Sequence, residues 1–133
     1  MITAAVPSTD RTFHRHPTAA RRARIWARSA LANWSTLDRP LRTGAVDDIV
    51  LVVSELVSNS VLHAQGEIHA HLELVHAAVR VEVHDSGPAP AVARPDSGTY
   101  GRGLTITNSL ADHCGWTRRP GRATAWATVP VAA

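Results

Sequence analysis

The stretch Val52-Val53-Ser54-Glu55-Leu56-Val57-Ser58-Asn59-Ser60-Val61-Leu62-His63-Ala64 sets an apolar helical stripe beside a polar one. Val52, Val53, Leu56 and Val57 recur at the spacing of a helix packed on a core. Glu55, Asn59 and His63, each four residues from the last, share a neighbouring face. A carboxylate and an amide at the edge of a core need polar partners. A divalent cation carrying waters, or a water to be activated, would supply them; a solvated surface carboxylate is the ordinary alternative.

Outward from this stretch, the helical pattern runs from Val46 to Ala64, with Asp47 and Asp48 at its start, where the helix dipole favours negative charge. Leu37 to Gly44, with Pro40, reads as a connection from an earlier helix. That helix opens at Pro17 and carries Ala20, Ala23, Ala27, Ala30, Leu31 and Trp34 on one side and arginines on the other. Residues 1–16 show no sustained periodicity and read as a flexible lead-in to a single domain over residues 17–133. Beyond Gly66 the period drops to two: Ile68, Ala70, Leu72 and Leu74 alternate with polar residues, as do Val79, Val81 and Val83. A turn near His76-Ala77-Ala78 joins these strands. Asp85 to Gly103 holds three prolines and four glycines and reads as a functional loop. A short helix over Leu104 to Asp112 and a hairpin of Cys114 to Arg118 and Ala123 to Val129, turning at Pro120-Gly121, complete the chain. The expected fold is α+β, a two-layer sandwich with helices on one face of a mixed, mostly antiparallel sheet.

The 133 residues fit one compact domain, and 44% hydrophobic against 19% charged residues is an ordinary globular balance. All 14 basic residues are arginine, and the net charge is +3. Arg11, Arg15, Arg21, Arg22, Arg24 and Arg28 make the N-terminal part electropositive, which taken alone suits nucleic acid, an acidic protein partner or an organelle-targeting leader. The solvated face of a helix is the plainer explanation. The longest apolar run, Ile49 to Val53, is far short of the ~20 residues of a membrane span. Cys114 has no second cysteine to pair with, which fits a reducing compartment.

Two further motifs carry chemistry. In Val83-His84-Asp85-Ser86-Gly87-Pro88 an aspartate closes a strand and a glycine follows. This is either a plain Asx turn or an acceptor for a ligand amino group beside a glycine that admits the ligand. Ser97-Gly98-Thr99-Tyr100-Gly101-Arg102-Gly103-Leu104 is a glycine-rich loop running into a helix, a ready phosphate site. It is neither a P-loop, since the chain has no lysine, nor a dinucleotide fingerprint, since the glycine spacing differs. Arg102 is its natural cation. His69 and His71 face outward on a strand and do not suggest a metal site.

Taken in order, Glu55-x3-Asn59-x3-His63-Ala64, Asp85-x-Gly87, and Gly101-Arg102-Gly103-Leu104 through Leu110 resemble the ATP-binding boxes of the superfamily of gyrase, the histidine kinases and the mismatch-repair ATPases. Ser54 to Asn59, the small size and Gly121-x2-Thr124-x-Trp126 further resemble the bacterial anti-sigma factor serine kinases. The resemblance spans Pro17 to Pro130. It implies that Asn59 coordinates Mg²⁺, that Glu55 activates the attacking hydroxyl or water, and that Asp85 reads the adenine amino group. It also implies that Gly87 lines the base pocket, that Gly101, Arg102, Gly103 and Leu104 approach the phosphates, and that Thr124 supports the adenine end.

What the resemblance implies is a cytoplasmic regulator that binds Mg-ATP, phosphorylates a serine or threonine of an anti-sigma factor antagonist and so controls a sigma factor. No phosphoacceptor-histidine hairpin is present, so a sensor histidine kinase is not expected. Two alternatives differ in class: a non-catalytic nucleotide-binding switch acting by docking, and a nucleic-acid binder working through Arg11 to Arg28, which would leave the ATP boxes without a purpose. Exposed apolar side chains on the first helix, or the sheet edge, would serve a homodimer or a sigma-binding surface.

Overall fold

The computed structural model describes residues 7–34, 41–87 and 106–132. Its elements are β1 (Ser8–Phe13), α1 (Ala19–Trp34), α2 (Ala45–His63), β2 (Ile68–Val75), β3 (Ala78–Asp85), a helical stretch over residues 106–110, β4 (His113–Arg119) and β5 (Arg122–Pro130). The strands form one sheet in the order β1-β2-β3-β5-β4, every described pair antiparallel. This is the two-layer α+β architecture that the periodicities imply.

Alternation builds the inner layer. In β3, Val79, Val81 and Val83 are buried while Arg80, Glu82 and His84 stand on the other face. Cross-strand neighbours keep the same phase, so Val81 lies opposite Leu72 on one side and Ala127 on the other. Against this face α2 packs Val52, Val53, Leu56 and Val57, none more than 2% exposed. Helix α1 lies on α2 and β1 through Ala19, Ala23, Ala27 and Leu31, all essentially buried. Alanines at that spacing let two helix backbones approach closely.

Three local features fix the frame. Arg42, between the helices, donates from Nε to the Pro130 carbonyl (2.7 Å) and pairs with Asp48 (2.9 Å), tying the start of α2 to the end of β5. The β4–β5 hairpin turns at Pro120-Gly121, with Gly121 at φ 72°, the left-handed region that glycine tolerates. Gly115 on β4 faces Trp126 on β5, and a Cβ there would lie 2.6 Å from Trp126 Cζ2. The indole therefore lies across β4 where only a glycine leaves room, with the Arg80 guanidinium 4.6 Å from its centroid.

Two expectations need revision. Residues 8–13, read as part of a lead-in, form the edge strand β1, registered on β2 from Ser8 opposite Glu73 to Phe13 opposite Ile68. Only Phe13 of its six residues is buried, so no alternation marked it. The expected minority of parallel pairing is also not found among the described strands. The short helix is described only over residues 106–110; the glycine-rich loop, residues 97–104, lies outside the described residues.

Candidate functional site

Asp85 is the last residue of β3, on the inner face, and only 6% exposed. Its carboxylate is held from two directions. Ser60 Oγ on α2 donates to Oδ2 in a short hydrogen bond, and the Gly87 backbone N–H donates to Oδ1 at 2.7 Å. Gly87 can aim its N–H back because it sits at φ 91°, with the Arg122 backbone nitrogen 3.5 Å from where a Cβ would be. The Ser86 N–H donates to the Gln65 carbonyl at 3.1 Å, pinning the end of β3 to the chain leaving α2. Each carboxylate oxygen accepts one of these bonds and keeps a lone pair for another donor.

Ser60 reaches Asp85 because it continues the core stripe of α2, four residues beyond Leu56, where the stripe meets the end of the sheet. Asn59, 8% exposed, is its neighbour, and Glu55 lies one turn earlier, half-buried. Asp85, Ser60, Asn59, Leu56, Val83 and Trp116 border a cavity of about 20 Å³, room for one water. Trp116 is the largest group on its rim.

The structure brings Asn59, Asp85 and Gly87 together and leaves Glu55 one helical turn away, outside the described lining of the cavity. It does not bring Thr124 to them. Thr124 lies opposite His84, on the outer face of the sheet, whereas the residue opposite Asp85 is Ala123. Ala123 has no hydroxyl, so on β5 the position facing the carboxylate is apolar, and Thr124 belongs to an outer cavity with Arg80 and Trp126. Gly101, Arg102, Gly103 and Leu104 lie outside the described residues, and the His63 side chain is likewise not described.

Three contributors went unnoticed in the sequence. Ser60 could have been found as a polar residue on an apolar stripe. Arg15 donates from Nη1 to the Ser60 carbonyl in a short hydrogen bond, bringing the β1–α1 connection to the site. Trp116 lines the cavity from β4. Nothing in the sequence pattern marks either of the last two, since both contacts join segments far apart in the chain.

A family sequence profile described as "Histidine kinase-like ATPase domain" matches residues 13–129. The chain belongs to the histidine kinase-like ATPase family. Among solved structures, this ATPase domain is similar to the RsbU and RsbW domains of Rv1364c from Mycobacterium tuberculosis, with 25% identity and a TM-score of 0.72. That similarity covers 95% of this chain and 32% of the other, so the chain spans about a third of its length. The Acinetobacter baumannii histidine kinase AdeS shares the fold at 13% identity and a TM-score of 0.52, over 92% of this chain and 67% of that one. None of the curated proteins compared matches the chain.

Among the described residues of this histidine kinase-like ATPase no helix is long and apolar enough to cross a membrane, and no three His, Cys, Asp or Glu side chains cluster as metal ligands. Asn59 is the amide oxygen donor that α2 brings to the cavity, with Glu55 one turn back outside its described lining. That set suits Mg²⁺, which keeps several waters and takes its other ligands from substrate phosphates.

Proposed function

We propose that the chain binds Mg-ATP at the Asp85 end of the sheet and transfers the terminal phosphoryl group to a serine or threonine of an anti-sigma factor antagonist, controlling a sigma factor. The observation that carries the reading is Asp85 itself: a nearly buried carboxylate, fixed by Ser60 and Gly87 and still able to accept, next to Asn59 on a family fold named for its ATPase activity. An adenine amino group is the donor that this carboxylate is prepared to receive. The RsbW domain in the similar structure supports the anti-sigma direction.

Each residue then has a task. Asp85 orients the base, and the Gly87 backbone leaves space beside it. Asn59 would hold the magnesium ion, which when bound offsets phosphate charge. Glu55, one turn back on the same helix, takes the proton of the attacking hydroxyl, and the proposed contact of Gly101 to Leu104 with the phosphates supplies further stabilisation. Thr124 takes no part in this scheme, because it faces the other way.

Incubation of the protein with radiolabelled ATP, Mg²⁺ and a candidate antagonist tests the reading: label is expected on the antagonist's serine or threonine, and no transfer with Mg²⁺ present refutes the kinase step. Glu55→Ala is expected to abolish transfer and leave nucleotide binding within about threefold, in keeping with the 10²–10⁴-fold that a positioned base typically contributes to rate alone. A non-catalytic switch predicts instead that binding occurs and that Glu55→Ala changes nothing.

A further inference from the structure

A second concavity lies far from Asp85 along the chain, where β1 runs into α1. It is an open groove of about 750 Å³ whose wall includes the six consecutive residues Arg11 to His16 and, from α1, Arg22, Ile25 and Trp26. Its volume is in the range of ligand sites. No Asp or Glu is among its described lining residues, whereas Arg11, Arg15 and Arg22 all are.

Three arginines outside the groove are matched with carboxylates, Arg28 with Asp47, Arg42 with Asp48 and Arg80 with Glu82. In the groove neither Arg11 nor Arg22 has an ion-pair partner among the described residues. Arg15 spends Nη1 on the Ser60 carbonyl, while its Nε and Nη2 are buried without a hydrogen-bond partner. Those two N–H groups form one edge of the guanidinium, the edge that a carboxylate accepts bidentately. The floor is apolar, with Phe13 and Trp26 packed edge to face at 5.9 Å and Ile25 62% exposed. Among the described residues β1 pairs with β2 alone, so its other edge also offers backbone groups to an extended chain.

We infer that this groove is a docking site for an acidic, partly apolar peptide segment of a partner protein, with its carboxylates on Arg11, Arg15 and Arg22 and an apolar side chain on Trp26 and Ile25. An arriving carboxylate draws the Arg15 guanidinium outward, exchanging a poorly satisfied buried cation for a paired one. The inference gives a location and a chemistry to a partner of the proposed regulator, and its test is kept separate from nucleotide binding.

The probe is a fluorescein-labelled peptide of alternating acidic and leucine residues, titrated by anisotropy against the full chain, with a matched peptide carrying Gln and Asn in place of the acids. The acidic peptide is expected to bind and the neutral one not. Arg11→Glu and Arg22→Glu, both at exposed positions, are each expected to weaken binding about tenfold or more, whereas Arg21→Glu, the same charge change on the neighbouring residue of α1 outside the groove lining, is expected to weaken it less, since a lost charged contact costs more than a change of nearby solvent-screened charge. Equal loss with Arg21→Glu means diffuse attraction and overturns the proposal. So does the absence of binding, or tighter binding of a labelled single-stranded oligonucleotide. ATP titration of the same samples reports the proposed function independently: intact nucleotide binding with no peptide binding defeats only the groove, and the reverse defeats only the ATP site.

Discussion

At the residue scale, the face to which a strand presents each side chain decides what that side chain can touch. Asp85 and Ala123 share the inner face, and His84 and Thr124 share the outer one. Thr124→Ala is therefore expected to leave ATP affinity within about twofold, because an exposed polar substitution away from the site changes little. Nucleotide titration of the variant checks this. Ser60→Ala removes the hydroxyl that holds Asp85 Oδ2 and leaves a nearly buried carboxylate one donor short. A loss of about 1–3 kcal/mol of stability is expected, read from denaturant midpoints at constant m. Gly115→Val places side-chain atoms where Trp126 lies and is expected to cost about 1–3 kcal/mol.

At the element scale, β1 is the strand the sequence pattern did not reveal and the one whose attachment depends on pH. Its Asp10 contacts His71 of β2, Oδ1 to Nδ1 at 2.6 Å, and Glu73 lies 3.4 Å from the other ring nitrogen. Burial pulls the His71 pKa down, but the hydrogen bonds and charges of Asp10 and Glu73 outweigh it, and the net shift is upward. A histidine with a raised folded pKa stabilises fully below its unfolded value, about 6.5, and loses that contribution as pH rises through the folded value. On the same face His84 is shifted down, by burial first and then by Arg122 and by His69, stacked on it at 4.9 Å. Its effect is opposite: stability is lost as pH falls through the unfolded value to the lower folded one, because the unfolded chain takes up the proton first. Thermal midpoints of His71→Gln and wild type isolate the first effect; their difference is expected to shrink as pH rises through neutrality, and a constant difference would count against it.

The elements that did show in the sequence share one property, a face buried deeply enough to impose a period. Helix α2 runs from Ala45 to His63 against an expected Val46 to Ala64, and the paired strands β2 and β3 fall within two residues of their expected bounds. Strand β1 escaped because its side chains other than Phe13 remain in or near solvent. The site divides in the same way. Asn59 and Asp85 stood out as polar residues at the edges of apolar runs, whereas Arg15 and Trp116 reach the site through tertiary contacts that no local period encodes. Thr124 was one residue out of phase, and one residue on a strand is a change of face.

At the scale of the whole molecule, one sandwich carries an inner-face carboxylate site at one end of α2 and an arginine groove at the β1–α1 corner, joined by the Arg15 contact to Ser60. The apolar layer between them is what holds α2 in register with the end of β3. Leu56→Ala, at a 2% exposed position bordering the cavity, is expected to cost about 2–5 kcal/mol and to weaken ATP binding with it. The central claim, that Asp85 reads the base of a bound nucleotide, is tested most directly by calorimetric titration of Mg-ATP into the wild-type chain and into Asp85→Asn, with thermal melts confirming that both are folded. The account predicts one site in the wild type and affinity reduced at least about tenfold in the variant, the ~1.4 kcal/mol expected of a charge-assisted hydrogen bond. Equal affinity in the two folded proteins, or no binding to the wild type, would contradict it.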